Sequence, residues 1–164
     1  MGLHDSQTRR RITARGVKPI QPMLPRYQYL WFYGAVEPAT GESFFLELPA
    51  LDTKCFQAFL DEFSRAYPDT LNLLVLDGAP AHIARALVIP ENVYLARLPP
   101  YSPELNPVER VWQDLRKRMG DALPPSLDAL AESAAAALRS YTCHALASLT
   151  NYGYPSLLKM HIEF

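Results

Sequence analysis

The sequence predicts an α/β domain in which a mixed sheet is flanked by helices. Three observations carry this. Two aromatic-rich runs, 27–37 (YQYLWFYGAVE) and 43–48 (SFFLEL), bracket a turn. The segment Leu51–Tyr67 then switches to helical period. A short, unbroken aliphatic run, LNLLVL at 71–76, follows it, as expected of a strand covered on both faces.

At 164 residues the chain is one domain long and able to bury a core. An apolar fraction of 49% against 20% charged residues argues against disorder. The net charge of −1 points to no partner class, but its distribution does. Arg9, Arg10, Arg11, Arg15, Lys18 and Arg26 face one acid, Asp5, in the first 26 residues, and Arg110, Arg116, Lys117 and Arg118 form a second cluster. Such patches suit a polyanion or a solvated face. Cys55 and Cys143 have no metal-type spacing, no apolar run reaches the roughly 18 residues of a membrane span, and the N-terminus lacks a signal core. The expectation is a cytosolic protein with no membrane partner.

Residues 5–26 read as irregular, polar and basic, broken by Gly16, Pro19, Pro22 and Pro25. The runs 27–37 and 43–48 form a hairpin across Pro38 to Gly41. Phe56, Phe59, Leu60, Phe63 and Tyr67 lie on one face of the next helix, with Asp52 or Thr53 as its cap and Pro68 as its stop. Strands are expected at 71–76 and 93–98. A helix opens at Asn106, buries Val108, Val111, Trp112, Leu115 and Met119, and ends at Gly120. A last helix opens at Ser126 with Leu127, Leu130, Ala134, Leu138 and Tyr141 in register, and 151–164 reads as a tail.

The chemistry concentrates in two passages. In LLVLDGAPAHIARAL (73–87) a strand ends on Asp77, followed by a small-residue turn and His82. An α/β sheet gathers ligands outside the carboxyl ends of its strands, and a carboxylate there faces water or a cation. In LPPYSPELNPVERVW (98–112) a proline-rich loop leads to Glu109 at the third position of a helix. A capping box with Asn106 explains Glu109 without catalysis. The functional alternative is a cleft where Asp77 and Glu109 hold Mg²⁺, an ion that prefers oxygen ligands. His82 is either a contact to a phosphate or a surface histidine. Trp112 and the aromatics of 27–33 read as core.

LVLDGAPAH and LPPYSPELNPVERVW together resemble the catalytic domain of DDE transposases, in the bacterial insertion-sequence branch of the mariner-type superfamily. The acids are 109 − 77 = 32 residues apart, close to the family's usual spacing. RYQYLWFYGAVEPATGESFF resembles the family's hairpin. The resemblance implies a ribonuclease-H-like fold over residues 1–150, with 151–164 as tail, and Mg²⁺- or Mn²⁺-dependent DNA strand cleavage and transfer. It implies that Asp77 and Glu109 are the second and third acids of the triad and ligate the metal. It implies transposon ends and target DNA as partners, with Arg9, Arg10, Arg11, Arg15, Lys18, His82 and Arg110 as candidate contacts, and a homodimer or a full-length transposase as a protein partner in the bacterial cytosol and nucleoid. The family's first aspartate ends a central strand just ahead of a stretch similar to GLHDSQTRRRITARGVKPI, and that role is not carried onto Asp5. The expectation is therefore an N-terminally truncated catalytic domain lacking its first strand. The alternative is a non-catalytic remnant that binds DNA or full-length transposase.

Overall fold

The computed structural model describes residues 2–4, 29–77, 79, 82, 84, 86–99, 102, 105–120 and 126–151. The basic segment expected to be irregular, the residues opening the 27–37 run, Tyr101 and nearly all of the tail lie outside them. The elements run β1 (Gly2–His4), β2 (Tyr29–Val36), β3 (Ser43–Leu48), α1 (Thr53–Ala66), β4 (Asn72–Leu76), β5 (Val93–Arg97), α2 (Pro107–Met119), α3 (Leu127–Arg139) and α4 (Cys143–Thr150). Antiparallel and parallel pairing both occur, but in two separate sheets. One sheet has the order β1-β2-β3, and β4 pairs with β5 in the other.

The expected hairpin is β2–β3, paired from Trp31↔Leu48 to Val36↔Ser43. Its turn closes with the Glu37 N–H donating to Glu42 O at 2.8 Å and the Gly41 N–H donating to Glu37 O at 2.8 Å. Gly41 has φ 76°, the left-handed region where a side chain is strained. Ahead of it, Gly2–His4 forms a three-residue strand on the other edge of β2, with Leu3 opposite Leu30. The sequence reading has no strand there, because three residues are too few to show a period.

Period-2 alternation gives β2 two apolar faces. Leu30, Phe32 and Val36 join Val111, Trp112, Leu115, Leu130, Ala134, Leu138 and Leu146 in a core made with α2, α3 and α4. Tyr33, with Trp31 and Ala35 at the margin, joins Phe56, Phe59, Leu60 and Phe63 of α1, and Leu74 and Val93, in a second core. This first sheet is thus covered on both sides. Gly34 lies in the first layer because a Cβ there would meet the Phe45 ring at 2.7 Å and the Trp112 ring at 2.8 Å. In the second core Tyr33 donates its hydroxyl to Ala50 O at 3.0 Å, and burial pushes that phenol up to about 12.

Each helix begins as its cap residue dictates. Asp52 accepts from the Cys55 N–H at 2.8 Å, Asn106 from Val108 at 3.3 Å, and Ser126 from Ala129 at 3.1 Å. The last expected helix departs from the sequence reading. It ends at Arg139, and Tyr141 lies in a corner before a separate α4, capped by Thr142 accepting from Ala145. Tyr141 leaves the helical register to reach α2: its hydroxyl donates to Asp114 Oδ2 at 2.7 Å, beneath the Arg118 guanidinium, 4.2 Å from the ring centroid.

Candidate functional site

Asp77 follows β4 directly, and its side chain is 51% exposed, so the charge that ends the apolar run faces solvent rather than core. Its Oδ1 accepts from the Ala79 N–H at 3.1 Å, an Asx turn that starts the chain away from the sheet. The Ala79 carbonyl accepts from the His82 N–H at 2.9 Å, which returns the histidine to the acid.

His82 is mostly covered, at 15% side-chain exposure, and its ring centroid lies 4.4 Å from that of Phe56. Its Nδ1 is 2.8 Å from Asp77 Oδ1. The contact is short but misaligned, and the buried Nδ1 makes no hydrogen bond with the carboxylate. His82 is therefore a wall behind Asp77. The sequence offered no sign of Phe56 as its shelf, since helical period marks Phe56 only as core.

Glu109 sits in the first turn of α2, whose start is set by Asn106 and Pro107. A capping box would have its carboxylate accept from the Asn106 N–H. Only the Asn106 half is made, and among the described residues the Glu109 carboxylate has no hydrogen bond or ion pair. Capping accounts for Asn106 and leaves the acid unspent.

Asp77, His82, Asn106 and Glu109 all line one cleft of about 760 Å³, whose other walls include residues of β2, β4 and α1. Both acids therefore line the same cleft. Hard carboxylate oxygens suit Mg²⁺, which is often held by one or two carboxylates together with water and substrate phosphate. Among the described residues no group of three or more His, Cys, Asp or Glu gathers as a metal cage. The donor set fits a two-carboxylate share of a site.

Of the candidate DNA contacts, Arg110 lies in α2 beside Glu109 and has partners of its own. Arg9, Arg10, Arg11, Arg15 and Lys18 lie outside the described residues. Trp112 is buried against Phe45, with ring centroids 5.6 Å apart, as a core aromatic. Arg118 is engaged by Asp114 at 2.6 Å. No helix among the described residues is long and apolar enough to cross a membrane.

The comparisons with known proteins bear on the family and on the fold. The family model described as DDE superfamily endonuclease matches residues 1–131, and the chain belongs to that family. An uncharacterized protein, y4pE/y4sA of Sinorhizobium fredii, is 44% identical over 89 residues, covering 54% of this chain and 66% of its own. Among solved structures, the Mos1 strand transfer complex matches 93% of this chain at TM-score 0.65 and 12% identity. The Mos1 transposase paired-end complex with left transposon end matches the same share at TM-score 0.66 and 13% identity. At that identity the likeness is one of fold, and the expected ribonuclease-H-like architecture is the architecture found. The chain spans about half the length of those solved chains, 48% and 49%.

Proposed function

We propose that residues 1–150 form a transposase-type catalytic domain, followed by a tail at 151–164, that contributes to metal-dependent cleavage and transfer of DNA strands. The observation that carries this reading is the pair Asp77 and Glu109 on one cleft, with no hydrogen bond or ion pair at the Glu109 carboxylate among the described residues. On this reading both carboxylates ligate Mg²⁺ or Mn²⁺, which would supply activation of a nucleophile and charge stabilisation at a phosphodiester. The Asx turn orients Asp77, His82 backs it against Phe56, and Asn106 with Pro107 fixes the helix start that presents Glu109. The basic residues Arg9, Arg10, Arg11, Arg15, Lys18 and Arg110 would meet the DNA backbone, which supplies most sequence-independent affinity. Transposon ends and target DNA are the proposed nucleic-acid partners, in the cytosol and nucleoid of a bacterium. A second copy or a full-length transposase is the proposed protein partner.

The test pairs metal binding with cleavage. Mn²⁺ titration followed by electron paramagnetic resonance should show binding that weakens on the order of tenfold or more in Asp77→Asn and in Glu109→Gln. Cleavage of labelled DNA from the ends of the encoding element should vanish in both variants while DNA binding persists. A Glu109→Gln chain that binds Mn²⁺ as tightly as the parent removes the metal role.

A second reading is favoured by the lack of a third ligand among the described residues. The chain would then bind DNA or a full-length transposase without cutting. In that case Asp77→Asn changes neither DNA affinity nor any nicking signal, because the parent shows none.

A further inference from the structure

We infer that the free edge of β3 is a docking edge for this chain's own segment 158–164, which adds to it as one further strand. The inference is independent of the chemistry proposed for Asp77 and Glu109.

β3 is an outer strand of its sheet, in the order β1-β2-β3. Its outward groups can be assigned from the hairpin. The Glu37 N–H donates to Glu42 O, one step beyond the Val36↔Ser43 rung. Bonded pairs alternate along an antiparallel ladder. Phe44 and Leu46 therefore direct their backbone groups to β2, and Ser43, Phe45 and Glu47 turn theirs outward. Among the described residues no hydrogen bond is made to them on that side. A strand edge in this state is a template for another strand.

The side chains along this edge specify the occupant. Phe44, Leu46 and Leu48 lie on one face, only partly buried, at the margin of the core built on α1. Glu47, on the other face, is exposed, and its carboxylate has no ion pair among the described residues. The edge therefore suits a strand that is apolar on one face and carries a cation on the other.

The segment 158–164, outside the described residues, reads LKMHIEF. Leu158, Met160, Ile162 and Phe164 alternate with Lys159, His161 and Glu163. This is the period of a half-buried strand, whereas a helix would divide the four apolar residues between opposite sides. Laid on β3, the apolar face of the segment continues the row of Phe44, Leu46 and Leu48, and Lys159 falls on the face of Glu47.

The chain is placed to deliver this segment. α4 starts against the hairpin turn, where a Cβ on Gly41 would collide with the Cys143 carbonyl. Gly41 is two residues from Ser43. α4 is eight residues long, about 12 Å. Residues 152–157 extend to about 20 Å, enough to carry Leu158 from the end of α4 to the start of β3. A segment tethered this closely has a high effective concentration at the edge, which favours it over the same segment of a second copy.

The test is amide hydrogen exchange on the full chain and on the double variant Met160→Asp, Ile162→Asp. Exchange at Ser43, Phe45 and Glu47 should quicken about tenfold or more in the variant, while Phe44 and Leu46, bonded to β2, keep the parent rate. A fluorescein-labelled peptide of residues 156–164, added to the variant, should bind saturably and restore slow exchange at the three outward amides. If quickening extends to Phe44 and Leu46, the variant has lost stability as a whole, and the peptide result decides. Equal exchange in parent and variant overturns the proposal, and so does a peptide that leaves the three amides unprotected. Protection in the parent that falls on dilution overturns it as well, because a second copy's segment then fills the edge.

Discussion

Gly34 shows how much one residue can decide. It sits in an aromatic-rich strand where β-propensity argues against glycine, and the only visible gain is room for the Phe45 and Trp112 rings. Gly34→Ala should destabilise the chain by roughly 1–3 kcal/mol, because the Trp112 ring is buried and the Phe45 ring is packed against the same core. Urea unfolding reads this directly, and an unchanged midpoint would show that the layer yields. Asp77 and Glu109 pose the opposite case. Each residue type was conspicuous in the sequence, one ending an aliphatic run and one following a proline-rich loop. Their presence on one cleft, and the absence of a reciprocal cap at Glu109, could be seen only with the chain folded.

Elements were legible where their period was long. The face of α1, the hairpin, β4, β5 and the start of α2 stand as read, since amphipathic spacing and cap chemistry are local properties. The joints between elements were not legible. Asn92 is one of them. Its side chain donates to Tyr67 O at 2.8 Å and accepts from Ser64 Oγ at 2.6 Å, while its carbonyl accepts from Asn72 at 2.9 Å. It thereby closes the carboxyl end of α1 onto the start of both strands of the parallel pair. Asn92→Ala leaves the Tyr67 carbonyl without that donor and should cost about 1–3 kcal/mol, measured by thermal or urea unfolding. A loss within 0.5 kcal/mol or so would mean that water replaces the amide readily. The break at Tyr141 was missed for a related reason: its i+3 spacing from Leu138 imitates a helical register, whereas its hydroxyl is held by Asp114 on another helix.

At the scale of the whole molecule, the C-terminal helices are tied to α2 through Asp114, and this tie is pH-dependent. Hydrogen bonds from the Tyr141 hydroxyl and then from Arg118 hold the Asp114 carboxyl below the usual carboxylate range. A depressed folded-state value stabilises fully above the unfolded value of about 3.9 and is lost as pH falls through the folded value. Stability should therefore decline below about pH 4. Asp114→Asn should flatten that acid limb while lowering the plateau at neutral pH. Urea midpoints between pH 2 and 7 measure both. An acid limb as steep in the variant as in the parent would assign the pH dependence to other carboxylates.

The sequence by itself determined the class and order of the longer elements and most of their ends, and it singled out Asp77 and Glu109 as candidates, because periodicity, capping and turn chemistry act over a few residues. Only the tertiary structure decided that Asp77 and Glu109 share a cleft, that His82 rests on Phe56, that a fourth helix follows Tyr141, and that the strands divide into two sheets. Those outcomes depend on contacts between residues far apart in the chain, where satisfaction of backbone hydrogen bonds and close packing, rather than local preference, select the arrangement.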